Sequence, residues 1–210
     1  MRSFKDRADA GRTLAGHVAH LIGSHPLVLG IPRGGVVVAA EVCLALDGEL
    51  GVVIAGKVRA PDNDELAIGA VASDGVALLD ELLIHRLGIS PTDARTAVSD
   101  AIVEVVRREK LFGRAPSVDG RTVVVVDDGV ATGATLRAAL GLIRRGGPEL
   151  LVCAVPVGPP SIIDLIAHEV DEVVCPVQPD RLWAVAEWYE DFAQVSDETV
   201  KGLLGRGGEL

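Results

Sequence analysis

"VVVVDDGVATGAT", residues 123–135, decides how the rest of the chain is read. Consecutive β-branched residues suit a strand buried on both faces, as in a parallel sheet covered by helices. Asp127 and Asp128 close that strand, and Gly129-Val130-Ala131 lead into Thr132-Gly133-Ala134-Thr135. A strand that turns through small residues into a helix gathers unpaired backbone N–H groups and the positive end of the helix dipole at one spot, which favours an anion. The hydroxyls of Thr132 and Thr135 add donors there. The loop has neither the Gly-Lys-Ser/Thr of a Walker loop nor the GxGxxG of a dinucleotide turn. Two acids beside an anion cradle would repel a bare phosphate, so they suit a ligand that brings hydroxyls, or a cation, to that side. A phosphate at one end and vicinal hydroxyls a ribose width away describe a ribose 5-phosphate. The competing reading is a helix-capping turn of two acids that holds no ligand.

Outward from this strand, apolar runs alternate with stretches of helix length. Residues 27–31 (LVLGI) read as a first strand ending in Pro32-Arg33-Gly34-Gly35, and 36–46 as a helix. Residues 50–58 (LGVVIAGKV) read as a second strand that ends at Lys57, followed by a turn or mobile loop at Pro61-Asp62-Asn63. The runs 66–72 and 76–79 bracket Ser73-Asp74-Gly75 as a hairpin. Amphipathic helices are expected over 6–23, with Leu14, Val18, Leu21 and Ile22 on one side, and over 91–112, where Pro91 suits a first turn. After the central strand come a helix over 133–146 closed by Gly146-Gly147-Pro148, a strand over 150–157, a helix over 160–168 and a strand over 172–177. This alternation predicts an α/β fold, a mainly parallel sheet flanked by helices. Ligands bind such sheets at the carboxyl ends of the strands, so loops 32–35 and 127–135 and Lys57 are expected on one edge.

Composition narrows the function. The chain has 210 residues, of which 49% are hydrophobic and 24% charged, enough for a packed core. Aromatics make up only 3%, so Val, Leu, Ile and Ala must build that core. The net charge of −10 argues against nucleic acid as a partner. No apolar run is long enough for a membrane span, and the polar start, Met1 to Ala10, does not resemble a signal peptide. Cys43, Cys153 and Cys175 have no metal-ligand spacing and sit in apolar runs, as buried thiols of a reducing, cytoplasmic setting would.

The apolar run, the acid pair, the small residues and Thr-Gly-x-Thr together resemble the phosphoribosyl diphosphate (PRPP) signature of type I phosphoribosyltransferases. The resemblance extends over most of the chain. It implies a core over 1–176 with a helical insertion at about 80–115, and a small hood to which 177–210 contribute. It implies that Asp127 and Asp128 contact the ribose 2- and 3-hydroxyls and hold Mg²⁺, directly or through water. It implies that Val130, Ala131, Thr132, Gly133, Ala134 and Thr135 bind the 5-phosphate. "GIPRGG" (30–35) resembles the family's pyrophosphate loop, with Arg33 and Gly34 where a backbone amide turns toward the diphosphate. Lys57 resembles the basic residue that reaches the diphosphate. Residues 59–72 lie where the family keeps its flexible closing loop, with Arg59 and Glu65 as its polar candidates. The order of these segments is similar to that of a subgroup of predicted bacterial phosphoribosyltransferases whose acceptor is generally unassigned.

The family's hood recognises the acceptor. Trp183, Trp188, Tyr189 and Phe192 lie close together near the C-terminal end, and by resemblance to purine enzymes Leu182 or Trp183 would stack on a base and Asp191 would supply an acid. Simple packing of the hood is the alternative. No lysine lies between Lys110 and Lys201, which argues against a purine 6-oxo acceptor. The resemblance implies transfer of ribose 5-phosphate from PRPP to a nucleobase-like nitrogen acceptor with release of pyrophosphate. Asp127, Asp128, Arg33 and Lys57 would carry the catalysis, and PRPP and a small-molecule acceptor would be the partners. A PRPP sensor without turnover is the alternative. The insertion would serve the hood or a homodimer interface.

Overall fold

The computed structural model describes residues 4–206, except for the side chains of Glu65 and Arg206. The strands, in chain order, form two sheets. β1 (Leu27–Gly30) and β2 (Glu49–Val52) belong to the central sheet. The chain then leaves it for β3 (Ala55–Ala60), β4 (Asn63–Ala72) and β5 (Ala77–Leu79), an antiparallel sheet in the order β3-β4-β5. It returns with β6 (Thr122–Val126), β7 (Leu150–Ala154) and β8 (Glu172–Val174). The central sheet has the order β2-β1-β6-β7-β8, with every pairing parallel. The helices are α1 (Arg7–His17), α2 (Gly34–Leu46), α3 (Glu81–Leu87), α4 (Pro91–Phe112), α5 (Ala134–Arg145), α6 (Pro160–Ala167) and α7 (Asp197–Arg206). The fold is therefore α/β, with a parallel sheet flanked by helices.

The valine run behaves as its composition requires. Val123 and Val125 pack with Leu136, Leu140 and Ile143 of α5, while Val124 and Val126 pack with Leu14 of α1 and Val38 and Val42 of α2. All four valines are fully buried, so the strand has two apolar faces and sits in the middle of the sheet. Its end is thereby fixed on both sides by helices.

The apolar run 50–58 is where expectation and structure part. It is two strands in different sheets. Val52 is the last residue paired with β1, and Val53 donates one further hydrogen bond to the Gly30 carbonyl. The chain then turns, with Val53 and Ile54 buried, and Ala55 opens β3. Both sides of the turn are apolar, so hydropathy carries no mark of it. Lys57 consequently lies inside β3 and not at the end of a parallel strand. Residues 59–72, the expected closing loop, form part of the β3–β4 hairpin, whose register shifts on either side of Arg59. β3 and β4 pair from Ala55↔Ala72 to Ala60↔Asn63 across a turn at Pro61-Asp62.

The second sheet is covered by α5 and α4. Ala55 and Ala70 join the cluster around α5, and Val58, Ile68 and Val71 join one with Ala101 and Val105 of α4. Helix α4 starts at Pro91, capped by the Ser90 side chain, which accepts from the Asp93 N–H. The amphipathic stretch 6–23 is shorter than its pattern suggests. α1 ends at His17, Ala19–Leu21 make one 3₁₀ turn, and Ile22 is exposed.

Candidate active site

β1 and β6 are parallel neighbours with Gly30 beside Val126, so the loops that follow them meet at one carboxyl edge. The Pro32–Gly35 turn lies directly on the acid pair. A Cβ on Gly34 would stand 1.9 Å from Asp128 Oδ2, and one on Gly35 would stand 2.9 Å from Asp127 Cα. Close approach of the two loops therefore leaves no room for a side chain at either position unless the acid pair or its backbone shifts. α2 begins at Gly34, so its first N–H groups lack intrahelical partners beside Asp127 and Asp128. The Pro32–Arg33 peptide is cis.

The acids are tightly framed. Asp127 Oδ1 accepts the Asp128 N–H at 2.9 Å. Asp128 Oδ2 accepts from Arg7 Nε at 2.7 Å, in an ion pair whose side chains are only 11% and 16% exposed. The Tyr189 hydroxyl donates to the Asp128 backbone oxygen at 2.5 Å. Arg7 also donates from Nη1 to the Ala193 carbonyl at 2.8 Å, and its guanidinium lies 3.7 Å from the centre of the Phe192 ring. Burial pushes Asp127 well above the usual carboxylate range, and the Asp128 charge pushes it further. Burial also raises Asp128, against the hydrogen bond and charge of Arg7. Two desolvated carboxylates with one cationic partner form a site that gains from hydroxyl donors or a second cation. Among the described residues, no group of three or more His, Cys, Asp or Glu could hold a metal alone. The pair does fit Mg²⁺ brought with a polyphosphate, since that ion is usually held by one or two carboxylates plus phosphate oxygens and water.

The cradle follows. Gly129 and Gly133 have φ of 152° and 76°, values that disfavour a side chain. The Val130 N–H donates to the Val157 carbonyl at 2.9 Å and its side chain is buried, so Val130 anchors the loop in the core. Gly133 caps α5, whose first residues Ala134 and Thr135 carry unpaired N–H groups. Thr132 is exposed, with Ala131 beside it partly so. An anion can therefore be met by amides and hydroxyls within a few residues of the acids.

Other expected site residues lie elsewhere. The Arg33 side chain points to the start of α7, with Nη1 3.6 Å from Asp197 Oδ1. Lys57 and Arg59 line a cavity of about 340 Å³ against α4, with Asp64, Asp93, Asp100 and Glu104. Arg59 donates to the Asp64 carbonyl across the hairpin. The Glu65 backbone is in β4, and its side chain lies outside the described residues. Trp188 and Tyr189 are buried with Phe4, Ala10 and Val157, so these two aromatics pack. Trp183 is 82% exposed. Asp191 Oδ1 accepts the Ala193 N–H at 2.9 Å.

Sequence reasoning passes over Arg7, which touches Asp128 from 121 residues away. The N-terminal stretch holding Arg7 is polar and carries no motif, so no local signal marks it. The Tyr189 hydroxyl, visible in the sequence only as one of a group of aromatics, escapes for the same reason.

A family model described as phosphoribosyl transferase domain matches residues 5–192. A provisionally named phosphoribosyl transferase of Mycobacterium tuberculosis strain H37Rv is 40% identical over 209 residues, which are 98% of this chain and 47% of that protein. A counterpart in strain CDC 1551 matches equally. The chain thus spans about half the length of the curated relatives it matches. The crystal structure of TT1426 from Thermus thermophilus superposes with a TM-score of 0.78 at 39% identity, covering 97% of this chain and 98% of that one.

Proposed function

The chain belongs to the phosphoribosyl transferase domain family, and from that premise we propose that it transfers ribose 5-phosphate from PRPP to a nitrogen acceptor. The bond from ribose C1 to the diphosphate oxygen breaks, the diphosphate leaves with the electron pair, a C1–N bond forms and the acceptor nitrogen loses a proton. The observation that carries this reading is the contact of Gly34 and Gly35 with the acid pair at the head of the Thr132–Thr135 cradle. That arrangement offers amides to a diphosphate on one side of the acids and to a monophosphate on the other.

Each part has a task. The start of α5 and the Thr132 and Thr135 hydroxyls hold the 5-phosphate. Asp127 and Asp128 accept hydrogen bonds from the ribose hydroxyls and stabilise the positive charge that develops on the sugar. The amides at 34–35 face the departing diphosphate. Asp127 and Asp128 would hold Mg²⁺, which would supply positive charge against the leaving diphosphate. Trp183, exposed and near the C-terminal end, is the candidate acceptor contact. Lys57, which lines the cavity against α4, is the basic residue this reading assigns to the diphosphate.

Calorimetry with PRPP and Mg²⁺ tests the proposal. Binding is expected for the natural chain, with Asp128→Asn and Thr132→Val weakening it by about tenfold or more, as loss of a charge-assisted contact does. Absence of any heat overturns the reading. Binding without pyrophosphate release over a panel of nitrogen bases would leave a sensor in place of a transferase.

A further inference from the structure

Beside the Pro32–Gly35 turn lies a cavity of about 250 Å³ lined by Arg33, by Arg107 and Arg108 of α4, and by Asp197 at the start of α7. In a chain of net charge −10, three arginines line this one small space. Their counter-charges are fewer. Among the described residues Arg33 has only Asp197, at 3.6 Å, beyond hydrogen-bond distance. Glu104 serves both other arginines: it accepts from Arg107 Nε at 2.7 Å and Nη2 at 2.9 Å, and from Arg108 Nε at 2.8 Å. Among the described residues the two Nη groups of Arg108 have no further hydrogen bond. One positive charge is left over, and among the described residues the Arg33 guanidinium and the Arg108 Nη groups beside the cavity make no hydrogen bond. Guanidinium forks of this kind match the paired oxygens of a phosphate.

We propose that α4 adds an anion subsite to the transferase cleft: Arg33, Arg107 and Arg108 bind a phosphate-type group, and Glu104 holds the two α4 arginines in place until that group arrives. The signature loops do not supply this subsite, because two of its three arginines come from the inserted helix. Its ligand has two candidate sources, the diphosphate end of PRPP (or its product pyrophosphate) and free phosphate. Arg33 joins the subsite to the diphosphate-facing turn, which favours the first source. That source rests on the proposed transferase reading, but the subsite itself does not.

The test is calorimetry with three probes, pyrophosphate, inorganic phosphate and PRPP with Mg²⁺, on the natural chain and on Arg107→Met/Arg108→Met. Both positions are partly exposed, at 61% and 38%, so the variant is expected to fold, and circular dichroism checks this. Pyrophosphate affinity should fall by about tenfold or more in the double variant. Glu104→Gln removes the negative charge shared by both guanidinium groups and should tighten pyrophosphate by about threefold or more, a gain that a purely structural role would not produce. Weakened PRPP in the double variant assigns the source to the substrate. Weakened phosphate with PRPP unchanged assigns it to the free anion. Unchanged affinity for all three probes in the double variant, with PRPP still sensitive to Thr132→Val, overturns the subsite and leaves the transferase reading standing. Failure of PRPP to bind the natural chain, with pyrophosphate still sensitive to the arginines, does the reverse.

Discussion

Replacing Arg7 with methionine removes the only cation bonded to the acid pair among the described residues, while keeping a long apolar stem against Phe192. The ion pair is 2.7 Å long and nearly buried, with 11% and 16% of the side chains exposed. Its loss leaves the Asp128 carboxylate desolvated beside Asp127 with no opposing charge, and breaking a buried pair in this way costs about 3–5 kcal/mol. The lost hydrogen bond to the Ala193 carbonyl falls within that figure, because effects within one network do not add. At roughly 2–4 °C per kcal/mol for a chain of this size, the midpoint should fall by about 10 °C. Urea denaturation measures the change directly. In a cycle with Asp128→Asn, the double variant should be less damaged than the sum of the singles by about 1.5 kcal/mol or more, since removing both charges removes the unpaired one. Arg7→Met within about 0.5 kcal/mol of the natural chain, or an additive cycle, would refute the view that Arg7 holds the site together.

Gly34→Ala should keep the fold by circular dichroism yet weaken PRPP by about tenfold or more, because its Cβ would stand 1.9 Å from Asp128 Oδ2 and 2.6 Å from Arg7 Nε. Unchanged calorimetry would show that the two loops do not act as one site. Trp183→Ala should leave stability within about 0.5 kcal/mol, as the side chain is 82% exposed, and change the KM for the acceptor but not for PRPP. A KM unchanged for every accepted base would remove Trp183 from the acceptor site. Asp127→Asn should stabilise the ligand-free protein at pH 8, because it removes a buried charge beside Asp128. The sign follows from the raised folded-state pKa of Asp127: the folded chain holds its proton more tightly than the unfolded chain, so stability falls as pH rises through that pKa. The advantage of the variant should shrink toward pH 5, and equal thermal midpoints for the two proteins at pH 8 would contradict it.

Local signals carry much of this structure. The valine strand, its acids and the following loop are contiguous, so one stretch of sequence displays the buried strand, the charge pair and the helix start together. The first turn is legible for the same reason, because Pro32–Gly35 directly follows β1. What escapes the sequence is long-range. The break between β2 and β3 lies within an apolar run that serves both sheets, so Lys57 reads as part of the wrong edge. Arg7 meets Asp128 only because α1 packs on α2 and the chain end returns beside it, where Phe4 pairs with Tyr189. Arg107 and Arg108 carry no motif, and only the placement of α4 beside Arg33 brings them to one cavity.

These long-range contacts have a common physical consequence. The acid pair is costly where it stands: it is desolvated, self-repelling and pressed against two glycines that leave it no room to relax. Arg7 offsets part of that cost, and the same guanidinium binds the Ala193 carbonyl and stacks on Phe192. Tyr189, three residues before Phe192, bonds the Asp128 backbone. The segment that supplies the candidate acceptor contacts is thus tethered to the acids by Arg7 and Tyr189. A ligand that brings its own cation to Asp128 competes directly with Arg7 for the carboxylate. On the proposed reading, filling the sugar site would act on segment 189–193 through the Arg7–Asp128 ion pair and the Tyr189 hydrogen bond.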